Sequence, residues 1–261
     1  MAEIKTTLHD RPDGRIARVV VDNQAKLNVL NSALAADLEA AFRDLASDAS
    51  LRAVILAGAG SRALIGGADI GEMAGLNPVT ARGFITQLHN VCGAIRALPV
   101  PVIARMQGYC LGGGLEIAAA CDMRIASDDA VMGMPEVRVG IPSVIEAALL
   151  PSLIGWGRTR RLLMTGETFG AEKALAWGMV EEVVPAAELD AAIDRLLTDL
   201  LAGAPHAIRL QKSLIAQWEE RGVAGAIAAG IDCFAEAWTT PEPAKRMAHF
   251  LASKRKAKVE P

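Results

Sequence analysis

The chain has 261 residues, which fits one large domain or one domain with an appended helical part. Hydrophobic residues make up 52% of it and aromatic residues 4%, so a core must be built mainly from Ala, Val, Ile and Leu. The net charge of −3 argues against a general attraction to nucleic acid or anionic lipid, and no stretch is both long and apolar enough to cross a bilayer. The polar N-terminus lacks the apolar run of a secretory signal, so we expect a cytoplasmic protein without a nucleic-acid or membrane partner.

Short β-branched runs alternate with Ala- and Leu-rich stretches of helical spacing in the first 185 residues. The runs that predict strands are residues 16–21, 53–56, 102–104, 123–126 and 180–184. The stretches that predict helices are residues 32–45, 80–98, 115–121 and 144–154, with Ser32 and Thr80 as N-caps. This alternation favours an α/β architecture with largely parallel strand pairing.

The strand signal ends near Pro185. Four helices separated by Gly or Pro are predicted beyond it, over residues 187–202, 205–220, 223–238 and 241–254. We therefore divide the chain into an α/β core over residues 1–200 and a C-terminal helical region over residues 201–261.

The side chains that most often bind metals show no metal-binding pattern. The four cysteines lack zinc-ligand spacing and are expected to be reduced thiols. The four histidines are scattered, and we expect each to be a surface or packing residue: His9, His89, His206 and His249. No metal site is predicted.

Two glycine-bearing turns follow predicted strands. In the first, Gly66 and Gly67 precede Ala68 and Asp69, so the backbone can turn sharply and approach a ligand closely; an ordinary strand-to-helix loop is the alternative. In the second, Gly112–Gly114 lead into a helix. Bare backbone N–H groups at a helix start favour an anion such as an enolate oxygen, although close helix-on-strand packing also explains them.

Two glutamates are of interest. One follows the three glycines closely, and the other lies in a loop that contains several Pro and Gly residues. Glu116 is in the first turn of an otherwise apolar helix, where a favourable interaction with the helix dipole is a sufficient explanation. Glu136 lies in the segment MGMPEVRVGIP and could be a solvated loop carboxylate. Considered alone, neither residue identifies the reaction that the protein catalyses.

Taken together, the motifs carry a resemblance to a known family. The segments are GGADI at residues 66–70, GYCLGGGLE at 108–116 and PEVRVGIP at 135–142, supported by TGE at 165–167 and FLASKRK at 250–256. In this order and spacing the chain resembles the crotonase (enoyl-CoA hydratase/isomerase) family from about Ile16 to Lys256. The motif pattern is most similar to that of enoyl-CoA hydratases.

The resemblance implies a reaction and a catalytic set. The reaction is reversible syn addition of water to a 2-enoyl-CoA, giving the 3-hydroxyacyl-CoA. Glu116 and Glu136 would orient and activate the water, with Glu136 supplying the proton to the α-carbon. The backbone N–H groups of Ala68 and Gly113 would form an oxyanion hole for the thioester oxygen.

The resemblance also implies a binding groove, a fold and an assembly. CoA-thioester contacts are expected from Lys26, Leu27, Gly67, Ala68, Asp69, Ile70, Gly112, Pro135 and Lys254. For Lys254, location in a solvated basic tail is an equally good alternative. The fold would be a spiral of ββα units followed by a helical trimerisation region, as a homotrimer or homohexamer. No cofactor is expected, because the substrate carries the CoA.

The chain departs from the family pattern after Ile141–Pro142. Many hydratases have a glycine-rich helix start there, whereas this chain has Ser143 followed by VIEA, which adds Glu146 as a third carboxylate. We expect Glu146 to be a solvated first-turn residue stabilised by the helix N-terminus; the alternative is that it changes the size of the substrate site or repositions a proton. Gly71 also replaces a frequent lysine, so one CoA phosphate contact is absent or supplied elsewhere.

Other functions remain as alternatives at this point. Double-bond isomerisation needs proton transfer but no bound water, and decarboxylation or thioester hydrolysis also occur on this fold. RNA binding would require a basic, aromatic-bearing face, which the negative net charge and single tyrosine oppose. A dinucleotide module would require a phosphate-binding motif that the GGG segment lacks.

Overall fold

The computed structural model describes residues 2–256, with side chains through residue 253. Its ten strands are β1 Glu3–Arg11, β2 Gly14–Asp22, β3 Leu51–Gly58, β4 Ala63–Ile65, β5 Val102–Met106, β6 Tyr109–Leu111, β7 Met123–Ser127, β8 Val131–Gly133, β9 Thr168–Gly170 and β10 Glu182–Val184. The helices of the same range are α1 Ser32–Leu45, α2 Ile70–Met73, α3 Pro78–Ala97, α4 Gly113–Ala120, α5 Leu150–Ile154, α6 Trp156–Thr165, α7 Ala171–Trp177, α8 Leu189–Ala202, α9 Pro205–Glu220, α10 Val223–Ala237 and α11 Glu242–Lys256.

The strands form two sheets that the chain visits in alternation. The larger has the order β1-β2-β3-β5-β7-β10, antiparallel only between β1 and β2. The smaller has the order β4-β6-β8-β9, parallel except between β8 and β9. Three successive strand pairs, β3 with β4, β5 with β6 and β7 with β8, therefore place one strand in each sheet. This layout confirms the predicted α/β fold of ββα units.

The chain divides into two compact units, residues 2–198 and residues 199–256. The boundary predicted from the sequence was residue 200. The first unit contains both sheets and the α/β core, in which α1, α3 and α4 bury their apolar faces; the side chains of Phe42, Leu38, Ile95 and Ile117 are fully buried. The second contains the end of α8 and helices α9–α11.

The two N-caps predicted at Ser32 and Thr80 were wrong, although helix α1 itself begins at Ser32 as predicted. Asn31 caps α1, with its side-chain oxygen accepting from the Leu34 N–H at 2.8 Å. Asn77 caps α3, and Thr80 is the third helical residue of a capping box with it. Asparagine is as good an N-cap as serine, so the propensity of Ser32 and Thr80 alone could not decide the position.

No helix in residues 2–256 is long and apolar enough to span a membrane. The same residues contain no group of three or more His, Cys, Asp or Glu side chains placed to hold a metal ion.

The start of α4 packs against β4 with no space for a side chain between them. A Cβ built on Gly114 would lie 2.2 Å from the carbonyl oxygen of Ile65, well inside any allowed contact. Gly93, inside α3, has nothing within 4 Å of the corresponding position. The two glycines therefore form a matched pair, one constrained by packing and one free.

We expect Gly114→Ala to lower the free energy of unfolding by about 1–3 kcal/mol, because β4 and α4 must move apart to admit the methyl group. Gly93→Ala should leave it unchanged or raise it by about 0.5–1 kcal/mol, because alanine is the better helix former. Urea unfolding followed by circular dichroism measures both. Equal stability of the two variants would contradict the close packing at Gly114.

Candidate active site

One cavity of about 780 Å³ lies in the first unit between α3, the loop after β4, the start of α4 and the segment following β8. Its wall is largely apolar. The residues that line it are Gly66, Gly67, Ala68, Ile70, Met73, Leu76, Asn77, Pro78, Ala81, Arg82, Phe84, Ile85, Leu88, Leu111, Gly112, Gly113, Glu116, Pro135, Glu136, Val139, Ile141, Pro142, Ser143 and Val144. Both predicted catalytic glutamates are among them, although 20 residues separate the two in sequence.

Glu116 enters the cavity from the first turn of α4 and is buried, with 3% of its surface exposed. Its Oε1 accepts a hydrogen bond from the backbone N–H of Ala147 at 3.2 Å. Burial, followed by the nearby charge of Glu136, raises the pKa of Glu116 to about 8, and the Ala147 hydrogen bond opposes this rise. Glu116 therefore holds a proton at neutral pH when the cavity is free of substrate.

Glu136 begins a 3-10 turn, Glu136–Val139. The Ser143 hydroxyl donates to its Oε2 at 2.8 Å. A Cβ on Gly112 would lie 2.4 Å from Glu136 Oε1, and one on Gly113 would lie 4.0 Å from Glu116 Oε2. The two carboxyl groups thus flank two successive glycines, whose missing side chains leave them room.

Ala68 and Gly113, whose backbone N–H groups are the predicted oxyanion donors, line the same cavity. Leu30 makes a parallel bridge to Ala68, donating to the Gly67 carbonyl at 2.9 Å and accepting from the Asp69 N–H at 2.8 Å. In such a bridge the N–H of the central residue, Ala68, points away from the partner strand. Gly113 is the first residue of α4, so its N–H has no acceptor within the helix.

The predicted CoA contacts divide into two groups. Gly67, Ala68, Ile70, Gly112 and Pro135 line the cavity. Lys26, Leu27 and Asp69 do not line it.

These last three residues hold the loop after β4 in place. The Lys26 ammonium bonds Asp69 at 3.0 Å and keeps the pKa of that carboxyl below its usual value. Leu27, with φ +55°, accepts from the Gly66 N–H at 2.8 Å. The side chain of Lys254 lies outside the described residues.

The interpretation of Glu146 as a solvated first-turn residue was wrong. It is in the first turn of the 3-10 helix Ile145–Leu149, but only 7% of its surface is exposed. Its Oε1 lies 2.8 Å from Nδ1 of His89, whose side chain is 57% exposed. Sequence reasoning missed this contact because 57 residues separate the two, and each alone had an ordinary explanation.

Sequence reasoning also missed the apolar wall and the hydroxyl at Glu136. Phe84, Ile85 and Leu88 line the cavity from α3, and Ser143 bonds Glu136. The amphipathic spacing in α3 was a usable signal for the wall, because its apolar face had to cover something. Ser143 stood at a departure from the family pattern, which was the only signal for it.

Comparison with known proteins agrees with this geometry. Residues 12–260 match the sequence profile of the family described as enoyl-CoA hydratase/isomerase. The chain is 34% identical to the short-chain-enoyl-CoA hydratase of Clostridium acetobutylicum, over 93% of this chain and 94% of that protein. It is 32% identical to the crotonyl-CoA hydratase of Syntrophomonas wolfei, with the same coverages.

Solved structures give the same result. The enoyl-CoA hydratase of Bacillus anthracis superposes with a TM-score of 0.88 at 30% identity, covering 96% of each chain. The enoyl-CoA hydratase of Mycobacterium smegmatis superposes with a TM-score of 0.90 at 28% identity, covering 95% of this chain and 96% of that one. With the motifs, the two-sheet fold and these matches in agreement, the chain belongs to the enoyl-CoA hydratase/isomerase family.

Proposed function

We propose that this protein hydrates a 2-enoyl-CoA thioester to the 3-hydroxyacyl-CoA by reversible syn addition of water. The observation that carries the proposal is the meeting of Glu116 and Glu136 in one cavity that Ala68 and Gly113 also line. Relatives named as short-chain enoyl-CoA and crotonyl-CoA hydratases support it.

The backbone N–H groups act on the thioester. When water attacks the β-carbon of the conjugated double bond, negative charge moves to the thioester oxygen and an enolate forms. The N–H groups of Ala68 and Gly113 stabilise that oxygen, and the dipole of α4 adds to this at the position of Gly113. Because the charge develops only during the reaction, these donors lower the barrier more than they tighten binding.

The two carboxyl groups move the protons. The oxygen of water bonds to the β-carbon, one of its protons passes to an ionised carboxylate, and the α-carbon receives a proton from a protonated carboxyl. The active pair therefore holds one proton, and the raised pKa of Glu116 supplies it. The sequence predicted that Glu136 donates the proton to the α-carbon. This assignment requires that the proton passes from Glu116 to Glu136 once substrate is bound.

The acyl chain lies against the apolar wall. Phe84, Ile85 and Leu88 of α3 line the same cavity as Val139 and Ile141. Burying an alkyl chain there is favourable by the hydrophobic effect and excludes bulk water from the reacting carbons. Lys26, Asp69 and Lys254 are proposed to contact the CoA moiety outside this wall.

Double-bond isomerisation is the less favoured reaction. An isomerase can shuttle one proton with a single carboxylate, whereas this cavity brings two carboxyl groups to the same pair of glycines. The cytoplasmic location stays a prediction from the sequence.

We expect Glu116→Gln and Glu136→Gln each to lower kcat for crotonyl-CoA hydration by about 100-fold or more, since each removes one proton-transfer group. Loss of the enoyl-thioester absorbance measures the rate. Glu172→Gln, an exposed glutamate in the first turn of α7, is the matched control and should retain the wild-type rate. Full activity in either site variant would rule out the two-carboxyl mechanism.

The raised pKa of Glu116 predicts the pH dependence. As the pH rises through about 8, Glu116 loses the proton that the pair needs, so kcat/KM should be level below that pH and fall about tenfold per pH unit above it. Initial rates from pH 6 to 9.5 measure this. A kcat/KM that increases through pH 8 would show instead that an ionised Glu116 is the form required in the free enzyme.

We further propose that the chain assembles as a homotrimer or homohexamer. Within the second unit, α9 and α10 expose large apolar side chains at Trp218, Ile227, Ile231 and Phe234, and α11 exposes Phe250. Apolar side chains in this number on adjacent helices are typical of an interface between proteins.

Multi-angle light scattering should give about three or six times the chain mass of 27.4 kDa. Ile231→Asp should lower that mass, because it puts a charge among the exposed apolar side chains of α10. Leu8→Asp, at an exposed position of β1, should not lower it. A wild-type mass equal to one chain would reject the assembly.

A further inference from the structure

A single five-residue segment, Ser143–Ala147, contacts both glutamates of the cavity. At one end the Ser143 hydroxyl donates to Glu136 at 2.8 Å. At the other end the Ala147 N–H donates to Glu116 at 3.2 Å. The position of this segment therefore determines the orientation of both carboxyl groups together.

The backbone of the segment is in an unfavourable conformation. Ile145 has φ +36°, a left-handed value that β-branched residues rarely adopt. The preceding residue, Val144, is extended, with φ −136° and ψ −151°. Such a conformation persists only where surrounding contacts hold it.

Glu146 supplies such a contact from within the segment. Its carboxylate is buried and its Oε1 accepts from Nδ1 of His89 on α3 at 2.8 Å. The buried Cys92 thiol of α3 lies near both carboxyl groups: burial, and then the charges of Glu146 and Glu116, raise its pKa. A buried carboxylate is costly unless it is paired, and the pairing with His89 ties the segment to α3.

We propose that Glu146, held by His89, is a positioning residue for hydration: it fixes the segment Ser143–Ala147 so that Ser143 orients Glu136 and Ala147 orients Glu116. The inference rests on the proposed hydratase function. Because α3 also supplies Phe84 and Leu88 to the acyl wall, the same contact ties the substrate-binding wall to the two carboxyl groups. Glu146 itself does not line the cavity and is not a proton donor to substrate.

The first test needs no substrate. Glu146→Gln and Glu146→Ala both remove the charge, but only the glutamine can still accept from His89. The groups that face Glu116 are Glu136 and Glu146 on the two adjoining segments and Cys92 on α3, with His89 behind Glu146. We expect removal of the Glu146 charge to lower the pKa of Glu116 in both variants, and loss of the Ala147 hydrogen bond to raise it in the alanine variant alone.

Carbon-13 NMR of glutamate-labelled protein follows the titration, with Glu116→Gln identifying the resonance. We expect a titration midpoint for Glu116 that is at least ~0.5 pH unit higher in Glu146→Ala than in Glu146→Gln. Equal midpoints would overturn the proposal, because the hydrogen bond to His89 would then have no effect on Glu116.

Kinetics provide the second test. We expect Glu146→Ala and His89→Ala to lower kcat on crotonyl-CoA by about 10-fold with KM changed less than about twofold, as misplaced catalytic groups would. Glu146→Gln, and His89→Asn with its amide near the position of Nδ1, should restore kcat to within about threefold. Thr86→Ala, at an exposed position of α3, is the matched control and should match wild type.

Two outcomes of the kinetic test would overturn the proposal: unchanged kcat in Glu146→Ala, or Glu146→Gln as slow as Glu146→Ala. Thermal unfolding checks that each variant is folded, and the glutamine and asparagine variants carry the test if an alanine variant is not. A wild-type protein without hydratase activity would reject the proposed function, while the NMR comparison would still report whether Glu146 positions the segment.

Discussion

The site depends on one steric constraint, the direct contact between the start of α4 and the end of β4 at Gly114. With no side chain between them, Gly113 is brought to the loop that leaves β4, where Ala68 also lines the cavity. Glu116 follows three residues after Gly113 on the same helix. The separation between the backbones of Ala68, Gly113 and Glu116 is therefore set by close packing of main chain on main chain.

The electrostatics of the site follow from where that contact places Glu116. The carboxyl group is removed from water and close to Glu136, so its proton is retained to about pH 8. Because folding raises the pKa of this group from 4.5 to about 8, its contribution to stability is fully present below about pH 4.5 and is lost progressively as the pH rises from there to about 8. The fold thus gives up stability already at neutral pH to keep a protonated carboxyl group there.

The sequence predicted the strongly patterned parts of this molecule and missed those without a local pattern. Helices α1 and α9 were placed at their observed bounds, because apolar spacing and flanking polar or proline residues agreed. Strand β1 was missed because most of its side chains are exposed, and β4, β6, β8 and β9 are only three residues each, too short for a period to be read. Glu116 and Glu136 were found through ordered motifs, whereas the pairing of His89 with Glu146 exists only after folding brings α3 to the segment behind the cavity.

The proposed use of backbone N–H groups at Ala68 and Gly113 bears on how such a protein can evolve. A main-chain donor is present whatever the codon specifies, with the exception of proline. Point mutations to any other residue at these positions can crowd the donors but cannot delete them, whereas a side-chain donor is lost in one step. The proposed enolate-stabilising capacity is therefore robust to most mutations, and new acyl specificities can arise by changing the apolar wall or the segment Ser143–Ala147 while that capacity is inherited intact.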